Sequence, residues 1–131
     1  MTNLQFQKHF TIDEARSLLP FLRKQLKEMA RIHSELAQTG FDVYRGKYQP
    51  GFHPDTLEPY PRLYHRFLHL AREILDMGIQ IKSFESGLVD FPALRPNGEE
   101  VFLCWKTDEE DIRFWHGLNA GFKGRRPLDS F

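Results

Sequence analysis

The feature that most constrains this chain is a change of hydrophobic period at Gly78. Before it, apolar residues recur every three or four positions. After it, they alternate. Ala15, Leu18, Leu19, Leu22, Leu26, Met29, Ala30, His33, Leu36 and Ala37 form the first stripe, which predicts an amphipathic helix over 11–39. Thr11-Ile-Asp-Glu14 opens it as a capping box and Gly40 closes it. Pro20 lies inside and predicts a bend, because proline cannot supply its share of the backbone bonds. Leu63, Phe67, Leu70, Ala71 and Ile74 predict a second helix over 61–78. Helices followed by strands define an α+β class. Two long amphipathic helices in succession predict an antiparallel two-helix hairpin, packed with a small, mainly antiparallel sheet.

The strands are read from alternation. Ile79–Phe84, Leu88–Leu94, Glu99–Trp105 and Asp111–Trp115 predict a sheet over 79–116, followed by a tail over 117–131. Leu4–Phe10 also alternates and predicts a short strand. Asn97-Gly98 reads as a two-residue hairpin turn. That turn sets Arg95 opposite Glu100, Leu94 opposite Val101, Phe91 opposite Cys104 and Asp90 opposite Trp105. Residues 40–60 form a loop rich in Pro, Gly and aromatics, whose rings predict that part of it packs down.

A length of 131 residues fits a single domain, 1–131. Lys plus Arg and Asp plus Glu each number 18, so net charge is zero and a general nucleic-acid binder is disfavoured. No basic, apolar leader opens the chain and no 18-residue apolar run exists, which predicts a soluble cytoplasmic protein without a membrane partner. Cys104 is the only cysteine, so no internal disulfide forms and a reducing compartment is expected.

Several segments together resemble an uncharacterised bacterial family, domain of unknown function 2203. They are Phe10-Thr-Ile-Asp-Glu-Ala15 with Leu18-Leu-Pro20, Gly87-Leu-Val-Asp-Phe-Pro92, Val101-Phe-Leu-Cys-Trp105, Phe114-Trp-His116 and Gly121-Phe-Lys-Gly-Arg125. The resemblance covers nearly the whole chain. Thr107–Asp111 departs from the family's usual Leu-Gly-Glu step, and Ile81–Phe84 departs from its usual pattern near Ser83. The resemblance implies a fold, but no activity and no cofactor.

Asp90, Trp105, Trp115, His116 and Arg125 are the candidate ligand-binding residues. A carboxylate on an apolar strand face needs a partner, because an isolated buried charge is costly. Arg125, Arg126 or His116 is the expected partner, with Trp105 and Trp115 as walls for a planar or anionic ligand. The competing structural reading is that Asp90 caps a turn or bridges to Arg125, locking the tail onto the sheet. Cys104 with His116 has the make-up of a nucleophile–base pair, although a free cysteine in an apolar run is more often simply packed. His65 and His69 share a helical face at metal-chelating spacing, with arginines nearby and no third ligand. Gly121–Arg126 has glycines and cations suited to a phosphate, without a P-loop spacing. Glu109-Glu-Asp111 is a solvated turn or a weak cation site. The leading expectation is a non-catalytic interaction module that forms a homodimer through its helical stripes. The alternative is a small-molecule or enzymatic site formed by Asp90, Trp105, His116 and Arg125.

Overall fold

The computed structural model describes residues 3–52 and 61–131. Its elements are α1 (Ile12–Ser17), α2 (Leu19–Gln38), β1 (Phe41–Asp42), β2 (Lys47–Tyr48), α3 (Arg62–Asp76), β3 (Gln80–Ser83), β4 (Leu88–Leu94), β5 (Glu100–Lys106), β6 (Phe114–Gly117) and β7 (Arg126–Pro127). Strands β3 to β7 form one antiparallel sheet in chain order, and β1 with β2 forms a separate two-stranded ribbon.

The class is α+β, but a long helical hairpin on a small sheet is not what forms. The first helix breaks at Leu18, which sits at φ −91°, ψ −8° and caps α1. Pro20 is the reason. It has no N–H to offer the carbonyl of Arg16, so the chain restarts with proline in the first turn of α2. The Thr11 capping box forms as expected: the Thr11 hydroxyl accepts from the Glu14 N–H, and the Glu14 carboxylate accepts from the Thr11 N–H. The sheet is the larger element, with five strands, and the tail contributes one of them.

Leu19, Leu22, Leu26, Met29, Ile32 and Leu36 of α2 are buried, as are Phe67, Leu70 and Ile74 of α3. They join Val89, Phe91, Ala93, Val101, Leu103, Trp105 and Trp115 in one core. Ile32, not His33, continues the α2 stripe inward. Within the 40–60 loop, Phe41 is buried and packs on Tyr48 and Tyr64. Residues 53–60 of that loop, including Pro54, Pro59 and Tyr60, lie outside the described residues. Leu4–Phe10 is not a strand, although the Phe10 N–H donates to the Pro92 carbonyl beside the sheet.

The β4–β5 register differs by one residue from the expected one. Asp90 pairs with Cys104, Val89 with Trp105, and Leu94 with Glu100. Pro96 explains it. A two-residue turn would make Pro96 and Glu99 the closing pair and require an N–H that proline lacks. Instead Arg95 and Glu99 close a three-residue loop: the Arg95 N–H donates to the Glu99 carbonyl, and the Gly98 N–H donates to the Arg95 carbonyl. Gly98, at φ +88°, takes the left-handed position that this loop requires. A shift of one residue changes which side chains share a face.

Candidate functional site

The observed register sorts the sheet into two faces. Val89, Phe91, Val101, Leu103, Trp105 and Trp115 face the helices and belong to the core. Asp90, Phe102, Cys104, Phe114 and His116 face the other way. Three adjacent strands therefore deliver Asp90 (β4), Cys104 (β5) and His116 (β6) to one patch of the outer face. The N-terminal segment covers part of it, with Phe6 packed on Phe102 at 5.3 Å between ring centres. The segment after β6 covers another part through Leu118, Gly121 and Phe122. Between them lies a pocket of about 190 Å³, floored by Asp90, Cys104 and His116 and walled by Leu88, Phe102, Leu118 and Phe122, with Lys82 at its rim.

Among the described residues, Asp90 and His116 are the two buried polar side chains, each 2% exposed. His116 Nε2 lies 3.1 Å from both Asp90 oxygens. Its Nδ1 lies 2.8 Å from the Gly117 carbonyl. That oxygen only accepts, so Nδ1 carries a hydrogen, and Nε2 donates to the carboxylate. The ring is assigned as an imidazolium. Burial alone would lower its pKa, but the Asp90 hydrogen bond, the Gly117 carbonyl and the Asp90 charge together raise it.

Cys104 is 1% exposed and lies beside this pair. Burial, and then the neighbouring Asp90 charge, pushes its thiol up to about 12. A thiolate is the reactive form of cysteine, so Cys104 is held as an inert thiol. His116, already protonated, is not a base for it. The two groups foreseen as a nucleophile–base pair do meet, in protonation states that oppose that chemistry.

The remaining candidates separate from this cluster. Trp105 and Trp115 lie on the core face, and neither lines the pocket over Asp90 and His116. The Trp105 indole N–H donates to the Glu109 carbonyl at 2.9 Å, and the Trp115 indole N–H donates to the Ser130 hydroxyl at 3.1 Å. Arg125 bonds Glu109, not Asp90, and lies over the Phe114 ring at 3.9 Å. Its Nε is buried without a hydrogen-bond partner. The tail is tied by Arg95, which donates to the Phe131 and Ser130 carbonyls. His69 pairs with Glu73 on the exposed side of α3. Glu109 accepts from Lys106 N–H and from Arg125, so the acidic turn is braced by its own neighbours.

Among the described residues, one group of three offers metal-ligand atoms close together. It is Asp90, Cys104 and His116. Sequence reasoning missed the place of Cys104 and the pocket walls. The signal for Cys104 was present in Pro96, whose missing amide rules out the two-residue turn.

Fold and site define an α+β domain with a buried acid–thiol–imidazole cluster on the outer face of its sheet. The chain belongs to the family described as an uncharacterised conserved protein, DUF2203, whose family model matches residues 8–128, a span that contains the whole cluster. Among curated proteins and solved structures, none matches the chain. Among the described residues no helix is long and apolar enough to cross a membrane.

Proposed function

We propose that the chain is a small-ligand-binding domain whose site is the outer-face pocket over Asp90 and His116. The observation that carries this reading is the buried ion pair at the floor of a pocket with apolar walls. A buried pair is a poor source of stability against an apolar alternative, so its placement at a cavity favours a ligand role. About 190 Å³ is below the roughly 300–1,000 Å³ of sites for drug-sized ligands. The ligand class is therefore small. Asp90 is neutralised by His116, so Lys82 leaves the pocket net positive and favours an anion, with a short carboxylate as the simplest fit. Cys104 as a single thiol suits a reducing compartment such as the cytoplasm.

Benzoate is a suitable probe, since its ring matches the apolar walls and its carboxylate the net positive charge of the pocket. Titration into the ¹⁵N-labelled protein is expected to shift the amides of Lys82, His116 and Leu118 saturably, at millimolar concentration. Leu118→Trp, which fills the pocket, is expected to abolish those shifts while the fold remains. Shifts that are absent, or that map to another surface, would reject the site.

A second reading is self-association. Leu22 and Leu26 are buried within the chain's own core, so a partner copy would use other surfaces. Leu68 and Leu75, two turns apart on α3, are 46% and 48% exposed and offer one. Under this reading wild-type protein scatters light as a dimer, and Leu68→Glu with Leu75→Glu scatters as a monomer. A wild-type monomer at high concentration would dismiss it.

A further inference from the structure

The pocket floor carries a chemistry that a simple polar pair does not need. Asp90, Cys104 and His116 each present one ligand atom, and the carboxylate oxygen, sulfur and imidazole nitrogen all lie within 4.8 Å of one another. In a tetrahedral zinc centre such atoms stand about 2.0–2.3 Å from the ion, hence roughly 3.3–3.7 Å apart. The His116 Nε2 to Asp90 distances, 3.1 Å each, are already within a few tenths of an ångström of that spacing.

Two further observations set the group apart from a chance cluster. His116 Nδ1 donates to the Gly117 carbonyl. That outer contact is the one that fixes a metal-bound imidazole and aims Nε2 at the ion. The three side chains also come from three adjacent, hydrogen-bonded strands, β4, β5 and β6, rather than from loops. A site on such elements is positioned before its ligand arrives.

We propose that Asp90, Cys104 and His116 bind a zinc-type divalent cation, with the fourth ligand position facing the pocket. The inference rests on reading that pocket as the ligand site, and it deepens that reading: the carboxylate of a small ligand, or water, takes the fourth position. One sulfur, one nitrogen and one oxygen donor favour Zn²⁺ or Co²⁺ over the all-oxygen preferences of Mg²⁺ and Ca²⁺. The charge balances. The metal-free cluster holds one carboxylate, one imidazolium and one neutral thiol, for a net charge of zero. The dication displaces the thiol proton and the Nε2 proton to solvent. The loaded cluster, with carboxylate, thiolate, neutral imidazole and ion, is again neutral. No net charge is added to a buried site.

The test uses the full chain, stripped with a chelator and titrated with Co²⁺ as an optical probe. One equivalent is expected to give the intense visible absorption of a four-coordinate ion and a near-ultraviolet thiolate charge-transfer band. One equivalent of Zn²⁺ then removes both. Cys104→Ser should abolish the charge-transfer band and weaken Zn²⁺ binding at least ~100-fold, with circular dichroism confirming the fold. Asp90→Asn, nearly isosteric, should weaken it as well. A His65→Ala and His69→Ala double variant should bind as the wild type does. Absence of a thiolate band at millimolar Co²⁺, or binding lost in the His65/His69 variant but kept in Cys104→Ser, would overturn the proposal. Benzoate titration of the stripped protein separates the two levels. Benzoate shifts without metal binding reject the ion and keep the pocket, whereas failure of both rejects both.

Discussion

Removing the Asp90 carboxylate from the metal-free protein tests the buried pair quantitatively. Asp90 and His116 are both 2% exposed, so Asp90→Ala leaves the Nε2 donor without its carboxylate in a largely desolvated place. A stranded buried charge costs about 3–5 kcal/mol. His116 can escape part of that cost by releasing its proton, which leaves the loss of a charge-assisted hydrogen bond, about 1.5–3 kcal/mol. The penalty therefore depends on pH. The native pKa of His116 is raised above the usual value. Between about 6.5 and that higher value, the folded protein holds a proton that the unfolded chain has released. Stability contributed by the pair is thus complete below about pH 6.5 and falls as pH rises through the native pKa. Asp90→Ala should lose about 3–5 kcal/mol at pH 5 and less at pH 9. Urea unfolding followed by the fluorescence of buried Trp105 and Trp115 measures both. A penalty below about 0.5 kcal/mol at pH 5, or one equal at both pH values, would refute the ion pair.

Two further outcomes follow from the same geometry. Cys104, with its thiol near 12, has about one molecule in ten thousand ionised at pH 8. Alkylation by iodoacetamide should be at least ~1,000-fold slower in native protein than in urea, and rapid native labelling would restore the nucleophile reading. Gly98→Ala should lower stability by about 1 kcal/mol, because alanine is strained at φ +88° while its Cβ meets no neighbour. An unchanged melting temperature would contradict the three-residue loop.

Local signals were legible where local physics decides. The Thr11–Glu14 capping box, the α3 stripe and the switch to strands after Gly78 all follow from nearest-neighbour chemistry, and each forms. The long first helix does not form because Pro20 interrupts it at Leu18 instead of only bending it. The register failed because Asn97-Gly98 outweighed Pro96, although only the proline carries a hard constraint. That single residue moved the partner of Asp90 from Trp105 to Cys104 and put Trp105 on the other face. The cost of a buried carboxylate points to a partner for Asp90 among Arg125, Arg126 and His116 without choosing between them, and the structure puts His116 Nε2 at 3.1 Å. The pocket was not legible, since its walls and rim come from β3, β4, β5 and the segment after β6, which approach only in three dimensions.

The His116 ring tests the central claim most directly. A side-chain ¹⁵N spectrum of the chelator-stripped protein at pH 6 should show protons on both ring nitrogens. One equivalent of Zn²⁺ should then remove the Nε2 proton alone, while Nδ1 keeps its hydrogen to the Gly117 carbonyl. A neutral ring in the stripped protein, or a ring indifferent to both Zn²⁺ and benzoate, would contradict a functional site on this face of the sheet.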